Sequence, residues 1–227
     1  MHADTLKLHE VFGKKCQYAV PHYQRPYVWK REEQWVPLWE DLRLLAEDVL
    51  AEREVTPHFL GAIVLEQIKT STRRIETRYL IDGQQRMTTL QLVFEAFHDL
   101  CENGIPEVTD YGQELHDLTR NKCALTKDED DQYKVWPTHQ DRAHFRTVMS
   151  AVRPDELHPT YGAKPGASQV GQPIADAYLF FHETIRTWLS EGPEDVRRRV
   201  EALFGALHDQ VRMVVIDLGE GDDPHMI

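Results

Sequence analysis

IDGQQRMTTL, residues 81–90, carries the chain from a strand into a helix, and the rest of the fold can be read outward from it. Upstream, Ile75, Thr77, Tyr79 and Ile81 recur at every second position, the period of a strand. Downstream, Leu90, Val93, Phe94, Phe97 and Leu100 or Cys101 recur at helical spacing. Asp82-Gly83 is the turn between them, and glycine permits backbone shapes that other residues resist. The first turn of the following helix leaves backbone N–H groups without partners, and such an end binds anions, phosphate above all. Gln84 and Gln85 add amides, and Arg86 adds a fork that grips phosphate oxygens in two places. Thr88 and Thr89 add hydroxyls, although Thr89 can equally turn into the helix. A plainer account stays open. Asp82 with Gln85 three residues later reads as a helix N-cap with its capping-box partner, worth about 0.5–2 kcal/mol. No GxxxxGK[ST] segment occurs, which excludes an ordinary P-loop NTPase.

Residues 59–65 form a short apolar run with Gly61 inside it, a buried strand that pairs as a hairpin with residues 75–81 across a polar turn at 70–74. Upstream again lies YQRPYVW, Tyr23–Trp29, where aromatics alternate with polar and cationic groups between Pro21 and Pro26. Tyr and Trp offer flat faces for a base and Arg25 a phosphate fork. The competing reading is that Tyr27 and Trp29 only pin the loop to the core. Residues 31–51 carry Trp35, Leu38, Trp39, Leu42, Leu45 and Val49 on one helical face. Residues 6–20 read as a short apolar element and then a strand. Beyond residue 111 the pattern is mainly helical. A short strand is expected at 133–136, and a helix capped by Thr138 or Asp141 runs to 152. An exposed loop follows over 153–173. Two helices separated by Gly192-Pro193 and a last strand at 211–218 complete the chain.

The 227 residues suffice for one large domain, and 41% hydrophobic content can bury a core. No run approaches a membrane span and the start has no signal-peptide pattern, so a cytoplasmic protein is expected. Cys16, Cys101 and Cys123 show no CxxC spacing and read as reduced thiols. His139, Asp141 and His144 have a loose ligand-like spacing, but neither HExxH nor an HNH pattern occurs. A net charge of −12 argues against general DNA coating. Cations nevertheless cluster around both motifs. Lys7, Lys14, Lys15, Arg25, Lys30 and Arg31 lie near one; Lys69, Arg73, Arg74, Arg78 and Arg86 lie near the other. Acid gathers at 128–131, read as a solvated loop, and at 220–223.

YQRPYVW, HFLGAIVL (His58–Leu65) and IDGQQRMTTL together, in this order and spacing, resemble a bacterial family of DNA-restriction proteins. The family includes the nucleotide-binding half of GmrSD-type modification-dependent restriction enzymes and the N-terminal domain of SspE. YQRPYVW and VWPT lean toward the SspE subgroup. YKVWPTHQDRAHF (Tyr133–Phe145) and residues 219–227 add weaker likeness, and Met87 stands where leucine is frequent. The resemblance implies an α+β fold: a ParB/sulfiredoxin-like core, a small mixed sheet with helical additions. On that expectation residues 1–105 are the core and 106–210 a mainly helical extension. Residues 211–227 are then a returning strand and the start of a continuation toward an HNH nuclease domain beyond 227. The resemblance also implies NTP hydrolysis, often of GTP, coupled to recognition of modified duplex DNA, with phosphorothioate the favoured modification.

The expected catalytic residues are Asp82, Gln84, Gln85 and Arg86, with Gln84 or Gln85 orienting water and Asp82 holding Mg²⁺ through water or merely capping. Nucleotide binding is expected of Gly83, Arg86, Thr88, Thr89, Gln24 and Arg25, and DNA contact of Tyr23, Gln24, Arg25, Tyr27 and Lys30. The expected partners are GTP or another NTP, modified DNA, the chain's own nuclease domain and a second copy of the chain. A binding module without turnover is the alternative reading. A nuclease built on the ParB-like fold itself ranks last, because no carboxylate cluster builds a two-metal site.

Overall fold

The computed structural model describes residues 1–70, 74–105, 108–122, 129–164, 166–192, 194–219 and 222. Arg73, Cys123, Asp128, Pro193, Glu220, Asp223 and His225 lie outside them, as do most of the 70–74 turn and most of the closing segment. The fold is α+β. Six strands, β1 (His2–Lys7), β2 (Cys16–Ala19), β3 (His58–Gln67), β4 (Glu76–Asp82), β5 (Val135–Trp136) and β6 (Val211–Leu218), form one mixed sheet in the order β1-β6-β3-β4-β2-β5. β3 and β4 are the expected antiparallel hairpin, while β6 runs parallel to β3 and antiparallel to β1. The last strand therefore sits inside the sheet, between the first strand and the hairpin.

Helices α1 (Leu8–Phe12), α2 (Val36–Leu50), α3 (Gln84–Asn103), α4 (Thr109–Thr119), α5 (Arg142–Ser150), α6 (Leu157–Thr160), α7 (Pro173–Leu189) and α8 (Val196–Gly205) surround the sheet. A π-helical turn, Arg31–Trp35, leads into α2, where Pro37 falls in the first turn and costs no helical hydrogen bond. One continuous apolar cluster joins sheet and helices. α3 is its spine and packs against α4 and α7. Besides the apolar face read from the sequence, α3 buries Gln91, Glu95 and Asp99, one turn apart. Each has a partner. Gln91 Nε2 donates to Thr119 O at 2.8 Å, and its Oε1 accepts from Val135 N at 2.9 Å. Arg120 grips Glu95, and Tyr178 OH donates to Asp99 at 2.6 Å. The large majority of buried polar groups in folded proteins are paired in this way.

Several expectations change. β1 was not foreseen, because an exposed edge strand of largely polar residues shows no alternation of burial. The 153–173 segment is not a plain exposed loop; it contains a 3-10 turn, Pro154–Glu156, and α6, and it buries Leu157 and His158. Asp141 does precede α5, but its side chain does not cap the helix. Its Oδ2 instead accepts from Tyr27 N at 2.9 Å and Thr138 Oγ1 at 2.5 Å. The acidic run is not simply solvated: Asp130 is held by Arg146, and the buried Asp131 by Arg74. His144 Nδ1 is hydrogen-bonded to Tyr161 OH at 3.2 Å. Among the described residues no helix is long and apolar enough to cross a membrane.

Candidate functional site

β4 ends on Asp82, and Gly83 turns the chain into α3 with φ +87° and no side-chain cap. The strand-to-helix reading of IDGQQR holds, but the capping-box reading does not. Asp82 is an exposed strand residue paired with Val64. The Gln85 amide is turned the other way, toward the 21–30 loop. The first intrahelical bond is Met87 N to Gly83 O at 3.0 Å. The N–H groups of Gln84, Gln85 and Arg86 therefore lack helical acceptors. A Cβ on Gly83 would lie 2.6 Å from Ile63 Cγ2 and 3.2 Å from Ala62 O. Gly83→Ala combines left-handed strain with overpacking, so it is expected to cost about 2–4 kcal/mol. Urea unfolding measures this, and a loss below about 1 kcal/mol would show that the junction relaxes freely.

Arg86 projects from this first turn over β3. Its Nη1 donates to Ala62 O at 2.7 Å. A Cβ on Gly61, which has φ +86°, would stand 3.2 Å from Arg86 Nη2. The absent side chain at Gly61 is what lets the guanidinium lie on the strand. No described carboxylate is an ion-pair partner of Arg86. Burial pulls its pKa below the ordinary arginine value, and the field of Asp82 only partly offsets this. A half-buried cation holding one carbonyl, beside unpartnered N–H groups, is arranged for an anion.

The YQRPYVW loop is bolted directly onto this junction. Gln84 Nε2 donates to Gln24 Oε1 at 3.1 Å, and Gln24 Nε2 donates to Ile81 O at 2.8 Å. Gln85 Nε2 donates to Pro26 O at 3.0 Å, and Val28 N donates to Gln85 Oε1 at 2.8 Å. Deeper, Trp35 Nε1 donates to Tyr27 OH at 2.9 Å, and Thr89 Oγ1 donates to Gln85 O at 2.8 Å. Thr89 has then spent its only hydrogen, so Tyr27 OH must donate to Thr89 Oγ1 across 2.7 Å. The chain of bonds has a single direction, and burial keeps the phenol neutral by raising its pKa.

This geometry redistributes the expected roles. Asp82, Gly83, Gln84, Arg86 and Gln24 meet at one place. Tyr23 is 53% exposed, and Arg25 and Lys30 are exposed on the attached loop, with Lys30 3.6 Å from Glu33. Tyr27, expected on the DNA face, is a core residue, because its hydroxyl and ring are both enclosed. Gln85 and Thr89 are taken up in fixing the loop, and Thr88 is buried in α3. The basic islands are also thinner than they read. Lys7 is paired with Asp209, Arg74 with Asp131, and Arg78 with Glu76 and Asp217. Gly61 and Asp141 were missed as determinants of the site. The glycine inside HFLGAIVL was the signal for the first, since a strand glycine marks a close approach. Nothing local announced the second.

The fold and the junction define a class: an α+β domain that presents one arginine and a bare helix start on a strand–glycine–helix turn, with an aromatic-cationic loop clamped to it. Within that class the chain belongs to the GmrSD restriction endonuclease N-terminal domain family, whose model matches residues 8–227. Membership ties it to DNA restriction. No curated protein matches the chain.

Proposed function

We propose that this chain is a nucleoside triphosphatase, using GTP by preference, that senses modified DNA and licenses a nuclease domain for restriction. The observation that carries the proposal is Arg86, a half-buried cation with no ion-pair partner among the described residues, set beside the uncapped start of α3. Phosphoryl transfer asks for positioning and charge neutralisation more than covalent chemistry. In this reading the N–H groups of residues 84–86 and the Arg86 fork hold the phosphates. Gln84 orients the attacking water through its Oε1, because its Nε2 is given to Gln24. Gln85 is a positioning residue for the loop.

Magnesium fits the junction as an ion that arrives with the nucleotide. It commonly binds through one or two carboxylates plus substrate phosphates, and Asp82 is an exposed carboxylate at the turn. Asp82 would hold it through water, and the ion would supply neutralisation of the phosphate charge. Tyr23, Arg25 and Lys30 face the DNA, where an aromatic surface beside a cation favours the softer, less hydrated sulfur of a phosphorothioate. A push on this loop reaches the junction within one residue, through Gln24 to Gln84 and Ile81.

The test is phosphate release from GTP and Mg²⁺ by the 227-residue chain, alone and with plain or phosphorothioate duplex. Turnover that rises with the modified duplex is expected. Tight GTP binding without release would leave a binding module, and neither binding nor release would end the reading.

A further inference from the structure

A concave site lies away from the junction. A cavity of about 590 Å³ opens between the C-terminal half of α3, the 152–168 segment and α7. This volume is typical of small-ligand sites, which run from about 300 to 1,000 Å³. Leu100 and Leu179 supply apolar walls on facing helices. The open polar group is His182. Its ring is tilted against Tyr178 at 5.9 Å, makes no hydrogen bond with any described residue, and keeps its nitrogens solvent-reachable. Burial first, and then Arg186, push its pKa down to about 4, so the imidazole is neutral at pH 7 and offers one donor and one acceptor.

The buried polar side chains of the cavity are already engaged. Asp99 accepts from Tyr178 OH at 2.6 Å and contacts His98 Nδ1 at 3.0 Å. Gly166 N donates to His158 Nδ1 at 3.2 Å, so the His158 proton sits on Nε2 and goes to Ala167 O at 2.9 Å. His158 thereby fixes the rim at 166–168. It is not an ion-pair partner of Asp155, 3.6 Å away, because its Nδ1 carries no proton. At the mouth Arg186 is held by Glu183 at 2.8 Å.

These facts select a ligand class. A free anion meets Asp99, Asp155 and Glu183, with Arg186 already paired and Arg153 turned out into water at the rim. A cation finds Asp99 and Glu183 engaged and only Asp155 open, and that carboxylate stands in water at the rim. A purely apolar ligand would strand the His182 nitrogens at a cost of about 1–3 kcal/mol. A flat, neutral ring with neighbouring donor and acceptor satisfies both the walls and the imidazole. We propose that this cavity binds a single nucleobase, with His182 reading its hydrogen-bonding edge and Leu100 and Leu179 enclosing its faces. The base can come from a free nucleoside or from a nucleotide turned out of a duplex.

One fluorescent base probes both sources: 2-aminopurine riboside in solution, and a duplex carrying 2-aminopurine opposite an abasic site. Each is titrated with the 227-residue chain. His182→Phe keeps the ring volume and removes the hydrogen bonds; Ser168→Trp obstructs the exposed rim without touching the core. A saturable fluorescence change with the riboside assigns the free nucleoside, and a change with the duplex alone assigns the extruded base. Either response should weaken at least about tenfold in both variants while their melting temperatures stay within a few degrees of the parent. No response to either probe, or responses undiminished in both variants, overturns the proposal. The readout involves no hydrolysis, so it stands or falls separately from the Arg86 reading.

Discussion

Arg86→Ala should lower kcat/KM for GTP at least about a hundredfold while leaving the protein as stable as the parent or slightly more so. The first half follows from what the guanidinium is asked to do. Removing one preorganised donor aimed at developing negative charge costs roughly 10²–10³ in rate, and the helix N–H groups that remain are partial charges only. The second half follows from its surroundings. The folded chain holds this cation half-buried with one carbonyl and no carboxylate partner among the described residues, and its lowered pKa records a desolvation that Asp82 does not repay. Truncation releases that strain, and water reaches the Ala62 carbonyl instead. An ordinary structural arginine behaves the opposite way, losing stability together with its contacts. Arg86→Lys separates charge from geometry. The ammonium keeps the charge but cannot grip two oxygens, so an intermediate loss of about tenfold is expected. Steady-state phosphate release and thermal melting on the same preparations decide the matter. Turnover within about threefold of the parent in Arg86→Ala would remove Arg86 from the reaction.

What could be read along the chain were the features carried by neighbours in sequence. The hairpin depends on two strands close together in the chain, the glycine turn and the start of α3 on Ile75 to Arg86 alone, and all are found. The capping alternative for Asp82 fails although the 82/85 spacing matches a capping box, because a ladder partner, Val64, extends the strand by one residue. That contest is settled by tertiary pairing. The same holds for Gln85, Thr89 and Tyr27. Their side-chain chemistry suits phosphate or DNA, but each is consumed by a partner far away in sequence. Gln24 and Arg25 stayed near the site because the loop that carries them is fastened to α3 rather than folded under it. The cavity around His182 left no trace in the sequence, since its walls come from three segments whose meeting depends on how α3 and α7 pack.

The largest stability effect is expected far from the junction, at Arg120. Its Nη1 and Nη2 donate to the two oxygens of Glu95 at 2.8 and 2.6 Å, and Nη2 also donates to Met149 O at 2.6 Å. Glu95 lies on α3 and is 3% exposed, and Arg120 follows α4, so this pair ties the spine of the core to α4 and, through Met149, to α5. Arg120→Ala leaves a buried carboxylate without its counter-charge and is expected to cost about 3–5 kcal/mol. Replacing both partners removes the unpaired charge with the pair, so Glu95→Leu with Arg120→Met should be more stable than Arg120→Ala alone. The defect also has a pH signature. Burial lowers the pKa of His98, but the hydrogen bond to Asp99 and the fields of Glu95 and Asp99 outweigh it and leave it raised, while Arg120 opposes them. Without Arg120 the protonated imidazole is favoured further. A raised histidine contributes stability that is present below its unfolded value of about 6.5 and fades as pH climbs through the folded value. The cost of Arg120→Ala should therefore shrink between pH 8 and pH 6. Urea unfolding across that range measures it, and a cost that is small at pH 8 or grows on acidification would show that Glu95 does not depend on Arg120 for its charge.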